Sequence, residues 1–264
     1  MNNKSFPICG GLGAVPRILS SLRAAVSASV FPETCVLCGT ATFGIPLCRT
    51  CRNSLLTEAS SSCDSAHCSV CGKPLLSEDE VCMQCRTENA PAKELDGIRS
   101  VFPYLLRKKY LLYEWKIAGH KSLTPFFAEC LLTLYSHCFA GLPVVPVPPR
   151  PGKIRKNGWD QTDSLVSVFK RKYGINVIKY LERTSGMQQK KLGRTERLTR
   201  SGQYKASNLL IRSAQDDKQK KLPSHVVLLD DVMTTGSTLC SCAAVLKSFG
   251  IEKVSALTLF TVPA

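Results

Sequence analysis

The 264 residues suffice for one good-sized domain and a small companion, and 44% hydrophobic against 21% charged residues excludes a globally disordered chain. A net charge of +15 and a pI near 9.3 point to anionic partners such as nucleic acid, a phosphorylated small molecule or an acidic membrane face. No run approaches the roughly 18 apolar residues that a membrane span needs. The start of the chain, with Lys4, Arg17, Arg23 and a short apolar stretch broken by Pro16, does not read as a secretory signal. A reducing, cytoplasmic setting is therefore expected, with the 14 cysteines as thiols or metal ligands rather than disulfides.

In chain order, Ile18, Leu19, Leu22 and Val26 recur at helical spacing and predict a short amphipathic helix within residues 1–31. Residues 32–90 form a cysteine-rich module with Ser60, Ser61 and Ser62 as a soft spacer. Large aliphatic residues are too few there for an ordinary core, so the module needs a staple. Residues 91–264 alternate strand and helix. Strands are expected at Ile98–Tyr104, Pro143–Val147, Val177–Leu181, Val226–Leu229 and Lys253–Val262. Helices are expected at 123–138, 160–172 and 237–249, with a long polar excursion over 185–221. Such alternation predicts an α/β domain with a doubly wound, mostly parallel sheet.

Eight of the cysteines form four Cys-x-x-Cys pairs: Cys35 and Cys38, Cys48 and Cys51, Cys68 and Cys71, Cys82 and Cys85. The halves repeat at an offset of 33 to 34 residues, as a tandem duplication would. Two residues between cysteines let one tight turn aim both thiolates at a single tetrahedral ion, and a glycine follows at Gly39 and Gly72. Four thiolates leave no open coordination position, so the expected role is structural Zn²⁺, with iron–sulfur and reactive dithiols as the lesser readings. Sequential pairing into two ribbons is simplest, with interleaved pairing the alternative. Cys63 and His67 are expected as bystanders, and Cys9, Cys130, Cys138, Cys240 and Cys242 as small apolar residues.

Positive charge is concentrated between Arg150 and Lys221, where 19 Lys and Arg face 6 Asp and Glu. The most specific segment follows. Val226–Leu229 reads as a buried strand, Asp230 and Asp231 stand at its carboxyl end, and Thr234, Thr235, Gly236, Ser237 and Thr238 open a helix. Backbone N–H groups and hydroxyls there make an anion cradle, and an acid pair suits the two hydroxyls of a ribose, directly or through a metal ion. The Gly-Lys-Ser/Thr of a Walker loop is missing.

This segment resembles the 5-phosphoribosyl-1-pyrophosphate (PRPP) motif of type I phosphoribosyltransferases. The wider chain resembles the ComF family (the ComFC or GntX-like group), which joins an N-terminal zinc module to a phosphoribosyltransferase domain. The resemblance rests on Pro32-Glu-Thr-Cys35, the glycine-tailed knuckles, Lys116 with Gly119, Val145-Pro-Val-Pro148, Gly158-Trp-Asp-Gln161, Arg183 with Gln188 and Gln189, Arg194, Arg197 and the motif itself. It implies that Asp230 and Asp231 contact the ribose hydroxyls, that Thr234 to Thr238 hold the 5′-phosphate, and that Mg²⁺ accompanies PRPP. The Pro-Val-Pro strand end would lie by the pyrophosphate. The family's Arg-Gly-Phe-Asn-Gln reads here Asn157-Gly-Trp-Asp-Gln161, so Asn157 and Asp160 replace an arginine and an asparagine, and the added carboxylate is unhelpful beside pyrophosphate. Thr234 stands where some purine-salvage enzymes carry an acidic base, so hypoxanthine or guanine salvage is not implied.

Two functions follow as expectations. One is an enzyme, a glycosyltransferase of the phosphoribosyl class, in which Asp230 and Asp231 serve transfer to an unknown acceptor and the basic run 183–205 forms a hood over the phosphates. The other is a non-catalytic single-stranded-DNA-binding protein with a vestigial or regulatory PRPP site. The resemblance also implies a link to DNA uptake in natural transformation and partners in that machinery. Tyr173, Tyr180 and Tyr204 are candidates for base stacking but are expected more as core or edge residues.

Overall fold

The computed structural model describes residues 33–75, 80–86, 94–152, 158–184, 203–215 and 222–262. The amphipathic stretch at 15–30, Asn157 and the basic residues from Lys190 to Arg200 lie outside the described residues.

Four strands form one sheet: β3 (Ile98–Pro103), β4 (Val144–Pro146), β7 (His225–Met233) and β8 (Lys253–Thr261). Their order is β3-β8-β7-β4, and every pairing is parallel. Strand alternation divides the core. Val144, Val227, Leu229, Leu257 and Leu259 face one side, against α2 (Leu106–Lys116), α3 (Thr124–Cys138) and α4 (Gln161–Tyr173). Val145, Val226, Leu228, Val254 and Ala256 face the other, against α6 (Ser237–Ser248), whose Leu239, Ala243 and Leu246 recur at helical spacing. Both faces are covered, which is why β7 and β8 read as near-continuous apolar runs. The architecture is thus α/β with a parallel sheet, as the alternation predicts.

The cysteine-rich module opens with a two-residue pair, β1 (Glu33–Thr34) with β2 (Ala41–Thr42), and continues in α1 (Arg49–Asp64). The serine spacer is a correction, because Ser60, Ser61 and Ser62 lie inside α1. Their hydroxyls donate back to the carbonyls of Leu56, Thr57 and Ala59 at 3.1, 3.0 and 2.7 Å, which lets poor helix formers stay helical. Leu55 and Ala59, one turn apart, bury α1 against α3 and the sheet's first face. Arg52 with Glu129 and Lys108 with Glu58 add ion pairs around this contact. The second half of the module packs instead with the α6 face, where Cys68, Cys71, Cys82, Cys85 and Leu95 join the second core. The two halves therefore dock on opposite faces, flanking the edge strand β3. Gly72 marks the closest approach. At φ +69° its backbone sits against β3, and a β-carbon there would collide with the Ile98 carbonyl.

Two further expectations change. Val177 makes only an isolated parallel bridge to Val144, and the strand of this region, β5 (Leu181–Arg183), pairs antiparallel with β6 (Tyr204–Ala206) outside the main sheet. The polar excursion is accordingly interrupted by β6 and by α5 (Asn208–Gln215).

Candidate functional site

The eight knuckle cysteines form two sets, Cys35, Cys38, Cys48 and Cys51, and Cys68, Cys71, Cys82 and Cys85, so the pairing is sequential. Within each set the sulfurs all lie within 4.8 Å of one another. Cys38 Sγ stands 3.6 Å from Cys48 Sγ, and Cys71 Sγ stands 3.7 Å from Cys82 Sγ. A tetrahedron with zinc–sulfur bonds of about 2.3 Å has edges of about 3.8 Å, so the spacing fits Zn²⁺. Backbone amides point inward as well: Cys51 N–H donates to Cys48 Sγ at 3.4 Å, and Cys82 N–H donates to Cys68 Sγ at 3.3 Å. The thiols cannot all ionise unaided. Hydrogen bonds from Thr40 and its neighbouring sulfurs hold Cys38 down at about 6, whereas burial and the adjoining sulfurs push Cys51 up to about 12. A divalent cation removes that conflict. These two four-cysteine sites support structural zinc. Cys63 and His67 stand apart, bonded to the carbonyls of Ala59 and Ser65.

The acid pair lies inside β7 rather than after it, since the strand continues to Met233 with Asp230 opposite Thr258. Alternation sends the two carboxylates to opposite faces. Asp231 turns toward α2, where Lys116 donates to its Oδ2. Asp230 lies on the α6 side, close enough to Cys242 and Tyr204 to act on both electrostatically, and its Oδ1 accepts the Asp231 N–H at 2.8 Å. Burial, and next the Asp231 charge, push the Asp230 carboxyl up to about 8, while Lys116 pulls the other way.

From Met233 the chain turns through Thr234 and Thr235, both exposed, to Gly236. Gly236 is the N-cap of α6 at φ 72° and ψ −5°, a left-handed conformation that glycine adopts freely and other residues only at a cost. It brings no capping side chain; the Ser237 N–H donates to Thr235 Oγ1 at 3.5 Å, and the other first-turn amides of a twelve-residue helix open toward this loop. Thr235 Oγ1 donates to Ser237 Oγ at 3.1 Å, which groups the hydroxyls on one side. The end of β4 borders the same place. Pro146 pairs with Leu229, and Val147 N–H donates to the Leu229 carbonyl at 3.0 Å, which brings Val145-Pro-Val-Pro148 to the acid pair.

Segment 158–161 completes the surroundings in a way the sequence does not announce. Trp159 packs edge-on to the fully buried Trp115 at 5.8 Å. Asp160, buried, caps α4 by accepting the Asp163 N–H at 3.1 Å, so the carboxylate expected to trouble a pyrophosphate has a structural partner. Gln161 donates from Nε2 to the Lys116 carbonyl at 3.3 Å. The contact of Lys116 with Asp231 is the feature that sequence reasoning missed, although the Lys116–Gly119 pattern was its only signal. Tyr180 and Tyr204 are buried, and Tyr173 packs edge-on to Phe169, so all three are core or edge residues. Among the described residues no helix is long and apolar enough to cross a membrane.

No curated protein matches the chain. Two domain families do: residues 26–86 match the double zinc ribbon domain, and residues 173–264, which include the acid pair and its loop, match the phosphoribosyl transferase domain.

Proposed function

We propose that the chain binds PRPP at the end of β7 and acts as a phosphoribosyltransferase of unknown acceptor. The observation that carries this reading is that a buried parallel strand carries Asp230 and Asp231 and leads, through a short threonine turn, into a helix N-terminus at Gly236, within the phosphoribosyl transferase match. In this reading Asp230 and Asp231 hold the ribose hydroxyls, directly or through the Mg²⁺ that would accompany PRPP, and Thr234 to Thr238 hold the 5′-phosphate. In transfer, the bond from the anomeric carbon to a pyrophosphate oxygen breaks and the acceptor's nucleophile bonds to that carbon. Pyrophosphate leaves with the bonding electrons. Mg²⁺ bound with PRPP would supply charge neutralisation for the leaving group. The protein's share is positioning and electrostatics.

A test is pyrophosphate release from PRPP with Mg²⁺ across a panel of nucleobases and small amines, with the Asp230→Asn/Asp231→Asn protein as blank. Acceptor-dependent release by the parent alone is expected. Release equal in both proteins would refute the assignment of the acid pair.

The charge concentrated over 150–221 supports a second reading, in which single-stranded DNA binds through this basic segment and the PRPP site is vestigial or regulatory. The link to DNA uptake attaches to either reading and rests on the family resemblance. DNA binding that weakens steeply with salt and survives Asp230→Asn/Asp231→Asn is its expected signature.

A further inference from the structure

Lys116 has a fixed base and a long, partly exposed side chain. Its neighbour Trp115 is fully buried, packs on Phe127 at 4.6 Å, and donates from Nε1 to Thr124 Oγ1 at 2.9 Å. Gln161 holds the Lys116 carbonyl. The backbone is thereby pinned by α3 and by the start of α4, while the four-carbon stem carries the ammonium to Asp231. Segment 158–161 finds its use here: Trp159 and Gln161 brace the end of α2, and Asp160 caps α4.

Resting on the PRPP reading above, we propose that Lys116 is a further ligand-binding residue that changes partners. In the ligand-free protein it holds the place of a divalent cation on Asp231. When PRPP enters with its metal ion, Lys116 moves onto the pyrophosphate. The argument is one of charge. A divalent ion on Asp231 and an ammonium on the same carboxylate repel each other at contact distance. The ammonium is the partner with a flexible tether, and it is partly exposed, so it can swing without disturbing the core. The arriving pyrophosphate supplies the anion that receives it. Asp231 thus never stands bare beside Asp230, and the site stays charge-balanced in both states.

The test uses the full-length, zinc-loaded protein and two titrations: Mn²⁺ alone, read by electron paramagnetic resonance, and PRPP with Mg²⁺, read by calorimetry. Lys116→Gln is expected to bind Mn²⁺ at least fivefold more tightly than the parent while losing at least tenfold in PRPP affinity. A purely structural lysine would weaken both together. In the unmutated protein, ¹³C-methylated lysines give a second readout that needs no stable Lys116→Gln protein. The signal missing from Lys116→Arg should shift on addition of Mg²⁺ and PRPP. Unchanged Mn²⁺ affinity in Lys116→Gln, or a Lys116 signal that PRPP leaves in place, overturns the inference while leaving the PRPP site standing. A parent protein that binds no PRPP overturns the site and the transfer of Lys116 together, although the Mn²⁺ titration still reports whether Lys116 occupies Asp231.

Discussion

Replacing Asp230 with asparagine should stabilise the ligand-free protein at alkaline pH while abolishing its PRPP binding. The carboxyl is raised from an ordinary 3.8 to about 8 by burial and by Asp231. The folded chain therefore binds that proton more tightly than the unfolded chain does, and the contribution to stability is lost as pH rises across the interval between those two values. Each unit of the interval is worth about 1.4 kcal/mol. Asp230 keeps part of its surface exposed, and solvent there screens part of that interval, so the net gain expected from Asp230→Asn is about 2 kcal/mol at pH 8 and under about 1 kcal/mol at pH 5. For a chain of this size that corresponds to a rise in Tm of about 4–8 °C at pH 8. Differential scanning fluorimetry of zinc-loaded parent and variant, at both pH values and without Mg²⁺, measures it. An equal gain at pH 5 and pH 8 would attribute the effect to packing rather than charge, and a loss at pH 8 would refute the reasoning.

Four other outcomes follow from the structure. Gly236→Ala should cost about 1–2 kcal/mol for a left-handed residue and weaken PRPP binding at least tenfold in calorimetry, with the zinc content unchanged. Gly72→Ala should lower Tm without touching the PRPP loop, because the new methyl meets the Ile98 carbonyl; a silent substitution in the melting curve would contradict the docking of the second ribbon on β3. Metal analysis should return two zinc ions per chain. Serine at Cys68, which is fully buried, should destabilise more than serine at the exposed Cys38, as read by urea denaturation.

The parts of this molecule legible in its sequence are those fixed by local chemistry. Val226–Leu229 and Lys253–Val262 are apolar because both sheet faces are covered, and the knuckle spacing is set by a tetrahedral ion. Helix α1 escaped notice because serine-rich sequence reads as linker, and only the back-bonding of its hydroxyls and its contact with α3 keep it helical. Helix α2 escaped for a different reason. Leu111, Leu112 and Trp115 are buried on one face while Leu106, Tyr110, Tyr113 and Ile117 are exposed on the other, so no polar stripe reveals the period. The Lys116 contact could not be read because residues 115 positions apart meet only through the fold. Likewise the sequence presents Asp160 as an added carboxylate beside pyrophosphate, and only the fold gives it a partner as the cap of α4.

The central claim, that the end of β7 is a PRPP site, is tested most directly by calorimetric titration of PRPP with Mg²⁺ into the zinc-loaded protein, beside the Asp230→Asn/Asp231→Asn variant. Saturable binding by the parent and its loss in the variant is the result expected. A folded, zinc-loaded parent that gives no binding heat with PRPP at any temperature tried would contradict it.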